Sequence, residues 1–460
     1  MRYDDYIKSK ALTAQSHGFI VDDGGIPNQL FGFQRDCVKW ALMRGKAALF
    51  LDTGLGKTAC QLSWARAVAE YTGNPVIIVA PLCVAHQTVR EGAKFGISAK
   101  YMRHPADQLD GVIVTNYEMI ENFDLSMFAG VVLDESSILK GMNGKYREML
   151  TNACRLVPYK LSCTATPSPN DFMELGTQCE WLGIMTQREM LAMYFIHDGG
   201  STSSWRLKGH GKTRFWEWMA TWSIVLRMPS DIGYSDDGYD LPPIQYHEHT
   251  IVTGDNFGLF ARVAQGLNER NSARRESIDQ RVRMAAKIAN AIKDDPVIIW
   301  CHLNSESSLL ESMIPGSRQV TGSMPHDEKE RLLLEFTNGE LRILISKPSI
   351  AGFGMNWQHC NQVIFVGLSD SWEKYYQAIR RCYRFGQCRD VNVHIIAADT
   401  EGAVVENIRR KDLQHNEMSD GMTEHMRAFT LSQIRGAISE STEYMPEEKL
   451  TMPSFMGETA

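Results

Sequence analysis

The chain has 460 residues, 43% of them apolar and 22% charged, which is enough to build a sizeable core and excludes wholesale disorder. Lys and Arg number 48 against 55 Asp and Glu, a net charge of −7. That balance excludes holding nucleic acid by bulk positive charge, so any such site is a local groove of Lys, Arg and main-chain donors.

The ten cysteines contain no C-x-x-C pair, which argues against a disulfide scaffold or zinc ribbon and suits a reducing compartment. No uncharged apolar stretch approaches the roughly 20 residues that cross a bilayer. The opening Met1-Arg2-Tyr3-Asp4-Asp5 lacks the basic-then-apolar pattern of a secretory signal. The expectation is a soluble, cytoplasmic protein with no membrane partner.

At about 150 residues per domain the length fits three units, or two large domains with additions. Short β-branched runs at 47–51, 76–80, 111–114, 131–133 and 159–162 read as buried strands, and the theme returns at 297–300, 342–345, 362–366 and 391–396. Most of them lack a polar/apolar alternation, as expected where helices cover both faces of a parallel sheet. Two such clusters predict two α/β domains in tandem. Between them, 174–243 is rich in tryptophan. Trp216, Trp218 and Trp222 have roughly helical spacing and read as packing. The stretch from Gly199 to Trp216 carries Arg206, Lys208, Lys212 and Arg214 without an acid, which fits either a phosphate-holding loop or a solvated one.

Leu241-Pro242-Pro243 marks a boundary, because consecutive prolines continue neither a helix nor a central strand. The segment 277–292 predicts a helix with Val282, Ala285, Ile288, Ala289 and Ile292 inward and Arg281, Arg283 and Lys287 on a solvated face. His247-x-His249 places two histidines on one strand face, but without a third ligand in the sequence nearby it reads as unmetalled. The last fifty residues carry nine acids against four bases and read as a peripheral, partly disordered tail.

Chemistry enters at 49–58. An apolar strand leads into Asp52-Thr53-Gly54-Leu55-Gly56-Lys57-Thr58, where glycines permit a turn that aims backbone N–H groups at phosphate oxygens. A helix starting near Lys57 adds its partial positive charge. Lys57 can reach the β- and γ-phosphates, and the Thr58 hydroxyl can ligate Mg2+. The strict G-x-x-x-x-G-K-[ST] pattern would need Gly where Leu51 stands. Downstream, the strand Val131-Val132-Leu133 ends in Asp134 and Glu135. Asp134 can hold the metal through its water shell and Glu135 can polarise an attacking water. Together these predict nucleotide hydrolysis with ATP and Mg2+.

Taken together, the motifs resemble those of superfamily-two helicases, specifically the Swi/Snf-like branch of double-stranded DNA translocases in its short phage or prokaryotic form. Phe31-Gly32-Phe33-Gln34 looks like the Q-type motif, whose glutamine reads the adenine edge. Gly54 to Thr58 matches motif I, Ala80-Pro81 motif Ia, and Thr115-Asn116-Tyr117 the Ib region. Asp134-Glu135-Ser136-Ser137 sits at motif II, and Thr164-Ala165-Thr166-Pro167 with Asn170 resembles motif III. Thr321-Gly322, Arg331 and Phe336 follow motif IV, and Ala351-Gly352-Phe353-Gly354 resembles motif V. Gln377-Ala378-Ile379-Arg380-Arg381-Cys382-Tyr383-Arg384-Phe385-Gly386-Gln387 is similar to motif VI. Arg381 and Arg384 lie three apart and share a helix face. A guanidinium placed on the γ-phosphoryl oxygens can contribute about 10³–10⁵ in rate.

The resemblance implies two tandem RecA-like domains with a Trp-rich, mainly helical insertion: 1–173 as the ATP-binding domain, 174–243 as the insertion, 244–411 as the C-terminal helicase domain and 412–460 as the acidic tail. It implies a nucleic-acid-dependent ATPase with catalytic Lys57, Glu135, Arg381 and Arg384. Nucleotide contacts fall on Gln34, Gly54, Leu55, Gly56, Lys57, Thr58 and Gln377, metal contacts on Thr58 and Asp134, and DNA contacts near Thr115, Thr321 and Gly352. The implied polymer is DNA, double-stranded and read without sequence preference, with replication, recombination or nuclease proteins as partners. A strand-separating DNA or RNA helicase, an ATP-gated clamp with little turnover, and the motor subunit of a nuclease system are the alternatives. Three departures bear on coupling. Ser136-Ser137 replaces Ala-His, Trp372-Glu373-Lys374 stands where the branch has Trp-Asn-Pro, and Gly367 takes the place of an aspartate.

Overall fold

The β-branched runs become the centre of two parallel sheets. The computed structural model describes residues 16–140, 144–168, 171–197, 205–252, 277–351, 355–369 and 371–441. In the first lobe, β1 (Lys46–Leu51), β2 (Val76–Ala80), β3 (Ala99–Tyr101), β4 (Val112–Asn116), β5 (Gly130–Asp134) and β6 (Tyr159–Cys163) form one sheet. After an antiparallel ribbon of β7 (Phe195–His197) and β8 (Trp205–Leu207), β9 (Ser223–Leu226) joins the sheet beside β1. The strand order is β3-β4-β2-β5-β6-β1-β9, and every pair in it is parallel.

Alternation decides the two cores. Ala47, Leu49, Leu51, Val76 and Ile78 face one side of the sheet, and Ala48, Phe50, Ile77 and Val79 face the other. Helices α1 (Gly32–Arg44), α2 (Lys57–Thr72) and α3 (Leu82–Lys94) supply part of the covering layers. So do α4 (Lys145–Ala153), α5 (Leu175–Leu182), α6 (Gln187–Tyr194) and α7 (Lys212–Ala220). With both faces covered, the strands read as continuous apolar runs. The Trp-rich segment belongs to this lobe's packing: Trp181, Trp216, Trp218 and Trp222 are buried in the same core as Phe50 and Leu133, and β9 extends the sheet.

The second lobe repeats the plan. β10 (Ile244–Ile251), β11 (Val297–Trp300), β12 (Ser317–Val320), β13 (Ile343–Ser346), β14 (Gln362–Val366) and β15 (Val391–Ala398) pair in parallel in the order β10-β15-β14-β11-β13-β12. Its helices include α8 (Ile278–Ala291), α9 (Asn304–Met313), α10 (His326–Thr337) and α11 (Trp372–Ile379). Both lobes have the expected RecA-like arrangement. Among the described residues, no helix is long and apolar enough to cross a membrane.

Two expectations need correcting. Arg281 is not on a solvated face of α8. It is fully buried, donates to the Val366 carbonyl at 2.9 Å and pairs with Glu306 at 2.9 Å and Glu401 at 3.9 Å. A charge is tolerated there because opposite charges from α9 and the chain after β15 converge on it. Residues 412–441, read as a peripheral tail, continue the 40-residue helix α12 (Gly402–Ser441). Val404 and Ile408 pack into the second lobe's core, whereas Met422, Met426 and Ile434 pack into the cores of the first. Glu417 and Glu424 are exposed, while the apolar residues of the helix have a place to go. Residues 442–460 lie outside the described residues.

Candidate active site in the interlobe cleft

Strand register brings the two first-lobe motifs together. Leu49 of β1 and Asp134 of β5 are both paired with Cys163 of β6, so the loops that follow β1 and β5 leave the same sheet edge. In open α/β sheets, ligands bind at these carboxyl ends. Gly54 (φ 97°) and Gly56 (φ 79°) take left-handed conformations in the first loop, which lets the chain turn from β1 directly into α2 at Lys57. A Cβ on Gly54 would stand 2.9 Å from the Phe385 nitrogen of the second lobe, and one on Gly56 would strike the Gln34 amide. The loop is thus packed from both sides.

Gln34 is 4% exposed. Its Oε1 accepts from the Phe31 N–H and its Nε2 donates to the Leu55 carbonyl, each at 3.0 Å, tying the start of α1 to the glycine loop. Lys57 Nζ donates to the Leu51 carbonyl at 2.9 Å and the Asp52 carbonyl at 3.3 Å. Burial lowers its pKa, opposed by the charges of Glu135, Asp52 and Asp134. Thr58 follows in the first turn of α2.

The acid pair is held through its backbone. The Tyr117 hydroxyl donates to the Asp134 carbonyl at 2.7 Å, and Gln61 Nε2 donates to Asp134 Oδ1 at 2.7 Å. Burial and the charge of Glu135 push Asp134 up to about 6. Glu135, at φ 54°, is the one non-glycine with positive φ among the described residues, a conformation costing an L-residue about 1–2 kcal/mol. Its Oε2 is buried without a hydrogen-bond partner.

The second lobe answers with α11 and the turn after it. Arg381 is 3% exposed and donates from Nε to the Gln377 carbonyl at 2.9 Å. Its charge is felt by Lys57, and it in turn feels Glu135 and Asp134. Arg384 donates to the Met355 carbonyl at 3.3 Å and feels Glu91 of α3 rather than the acid pair. Gln377 is 4% exposed, with neither amide atom paired. Buried polar groups are seldom left unpaired. Gln377, Glu135 Oε2 and Arg384 Nε therefore form a set of donors and acceptors from both lobes that fits a polar, multiply charged ligand. Buried Asp134 and half-buried Glu135, whose charges reach Lys57 at the start of α2, likewise fit a divalent cation. Next to Glu135 lies a cleft of about 560 Å³, lined by Pro81, Tyr117, Lys140, Ile350 and Glu373 among others.

Three residues that sequence reasoning missed join the lobes here. Tyr376 donates its hydroxyl to Asp52 Oδ1 at 2.9 Å, and Arg380 reaches Asp52 Oδ2 at 3.3 Å. Tyr376 of α11 and Arg380 at its C-terminal cap are four apart, a spacing visible in the sequence, but their target across the cleft is not. Lys140, just after motif II, pairs with Glu373, one of the residues replacing Trp-Asn-Pro.

Of the nucleic-acid candidates, the structure describes Thr115 and Thr321. Thr115 is fully buried and spends its hydroxyl on the Met102 carbonyl at 2.8 Å, leaving no side-chain group for a polymer. Thr321 follows β12, with its hydroxyl 3.3 Å from that of Ser323. Gly352 lies outside the described residues, as does Asn170. Register sets His394 opposite His247, and His249 Nε2 lies 3.1 Å from His394 Nδ1. Even so, no group of three or more metal-capable side chains occurs among the described residues.

Residues 280–386, which include the arginine turn, match the helicase conserved C-terminal domain. The putative protein p41 of Acyrthosiphon pisum secondary endosymbiont phage 1 is 24% identical over 438 residues, covering 78% of this chain and 91% of that protein. These matches support the resemblance to the Swi/Snf-like branch of the superfamily-two helicases. The chain is also 22% identical to the DNA annealing helicase and endonuclease ZRANB3 of Mus musculus, over 84% of the chain but only 40% of ZRANB3. To the TATA-binding protein-associated factor mot1 of Schizosaccharomyces pombe it is 27% identical over 129 residues, 26% of the chain and 6% of that protein. Together with the phosphate loop and the arginine turn, these likenesses point to a nucleic-acid-dependent ATPase.

Proposed function

We propose that this protein is a translocase that turns ATP hydrolysis in the interlobe cleft into movement along duplex DNA. The observation that carries the reading is the facing set of charged and unpaired groups. Lys57, Asp134 and Glu135 come from one lobe, and Arg381 and Gln377 from the other, with Arg381 electrostatically engaged with both acids.

In this reading the loop from Gly54 to Thr58 cradles the phosphates with backbone N–H groups, and Lys57 leaves its two carbonyl partners for the β- and γ-oxygens. Gln34 and Gln377 complete the nucleotide's polar contacts. Thr58 and Asp134 would hold Mg2+, which would supply neutralisation of the charge on the phosphates. Glu135 orients and deprotonates the attacking water through its free Oε2. Arg381 stabilises charge on the transferring phosphoryl group, and Arg384 supports it from the same turn. Because the catalytic groups are divided between lobes, nucleotide binding favours closure and phosphate release relaxes it. A grip on the DNA backbone from each lobe would then move in register with the cycle. The name of the mouse relative couples helicase with annealing, which supports a duplex as the polymer held.

The test is ATP turnover without nucleic acid and with single-stranded DNA, duplex DNA or RNA, with Glu135→Gln as control. Duplex DNA should stimulate most, with affinity falling steeply as salt rises, and Glu135→Gln should bind ATP without turning it over. A rate indifferent to every nucleic acid refutes the reading. Displacement of a third strand from a triplex separates movement from clamping.

A further inference from the structure

The loop behind Glu135 is held by a residue that none of the motifs contains. Gln178, on α5, has no exposed surface, and neither have Ser136 and Ser162. Gln178 Nε2 donates to the Ser136 carbonyl at 2.8 Å, and its Oε1 lies 2.6 Å from the Ser162 hydroxyl. The Ser162 hydroxyl lies 2.8 Å from that of Ser136. A carbonyl only accepts, so the amide orientation is fixed. The single Ser162 proton then belongs to Oε1, and the Ser136 hydroxyl is the donor to Ser162. The three residues close a ring in which each bond is made away from water, where it is strongest.

That ring meets a strained point. Glu135 sits between two pinned carbonyls, Asp134 held by the Tyr117 hydroxyl and Ser136 held by Gln178. Between them Glu135 keeps its left-handed conformation, with Oε2 unpaired. Strained residues persist where their surroundings over-determine them. Ser136 is also one of the two residues that depart from Asp-Glu-Ala-His, and its hydroxyl is what closes the ring.

We infer that Gln178 is a positioning residue for hydrolysis: through Ser136 and Ser162 it holds the backbone at Glu135 in the conformation that presents the carboxylate to the cleft. This rests on Glu135 as the base. The experiment measures kcat and KM of DNA-stimulated ATP turnover, nucleotide affinity and melting temperature for Gln178→Leu and Ser162→Ala, each alone and combined with Glu135→Gln. Misplacing a catalytic group by a fraction of an ångström to 1 Å costs up to about 100-fold. Gln178→Leu should therefore lower kcat by about 10- to 100-fold with KM for ATP changed less than about twofold. Ser162→Ala should lower it about threefold to tenfold, and it decides the matter should Gln178→Leu not fold. Neither variant should slow the residual turnover of Glu135→Gln further. A kcat per folded molecule equal to the parent's, or the same fold loss with and without Glu135, overturns the inference while leaving Glu135 as the base. Full turnover by Glu135→Gln alone would instead overturn the base assignment and this inference with it.

Discussion

Tyr376→Phe removes one hydroxyl that crosses between the lobes and leaves the ring that packs against Trp372. The bond it removes is 2.9 Å long and ends on the Asp52 carboxylate, beside the phosphate loop. The same carboxylate takes Arg380 at 3.3 Å, where both side chains are only 16–17% exposed. Burial works to raise Asp52, but Arg380, the Thr53 N–H, Lys57 and Tyr376 outweigh it and hold the pKa below the usual value. The carboxylate is therefore charged, and a hydrogen bond to a charged partner contributes about 1.5–3 kcal/mol. Losing it should shift the docked arrangement of α11 toward opening by about 10- to 150-fold, at 1.4 kcal/mol per factor of ten. Native-state hydrogen exchange of the α11 amides reads that opening free energy directly, and small-angle scattering reports whether the lobes part with it. Asp52→Asn paired with Tyr376→Phe completes a double-mutant cycle. A coupling below about 0.3 kcal/mol, the range expected of independent sites, together with an unchanged scattering profile, would refute the latch.

The remaining predictions concern charge. Arg381→Ala should lower kcat by about 10³-fold or more, and Arg384→Ala by less, because only Arg381 feels both Glu135 and Asp134. Steady-state turnover of the two variants decides this, and equal losses would contradict the division of roles. Arg281→Ala removes the buried cation that Glu306 and Glu401 share in the second lobe and should destabilise it by about 3–5 kcal/mol. A fall of less than about 1 kcal/mol in urea unfolding would show that the buried charges find other partners. Burial pushes both His394 and His415 down to about 4 from 6.5, with His247 and His249 adding to the effect on His394, and with Asp52 opposing and Arg227 and Arg380 assisting at His415. The unfolded chain therefore binds these protons first, so stability is full above pH 6.5 and is lost as pH falls from 6.5 toward about 4. Urea midpoints between pH 7.5 and 4.5 should fall less steeply for His394→Asn and His415→Phe. Parallel curves would refute the assignment.

What could be read from the sequence was what is decided locally. Strand, glycine turn and helix succeed one another from Lys46 to Thr72, so the phosphate loop announces itself, and the apolar run before Asp134 and Glu135 does the same. Central strands were legible because burial on both faces leaves no polar alternation. β10 showed only as the His247-x-His249 alternation: it is an edge strand, and Gln245, Tyr246, His247 and Glu248 are exposed, so it carries no apolar run. β9 was hidden by its tryptophan-rich surroundings, and its place beside β1 follows from pairing that sequence spacing does not encode. Arg281 looked like a surface charge because its partners arrive from positions 306 and 401. The contacts of Asp52 with Tyr376 and Arg380 are separated by more than 300 residues and exist only once the lobes meet. Thr115 shows the converse, a residue matching a motif whose side chain is consumed inside its own lobe.

Helix α12 gives the molecule a mechanical element that neither sheet provides. Its 40 residues make a rod about 60 Å long at 1.5 Å per residue. One end is rooted in the second lobe near Val404, where Asp412 bonds the Trp372 indole at 2.8 Å. Farther along, Arg427 donates to the Ser230 carbonyl at 3.0 Å and Gln433 bonds Arg44, both on the first lobe. Parting the lobes must therefore flex this rod, slide it along one flank or unzip it from Met422 and Met426. On the translocase reading proposed above, a motion of either lobe would load the flank of α12 beside Arg44, which would make it the output end of a lever.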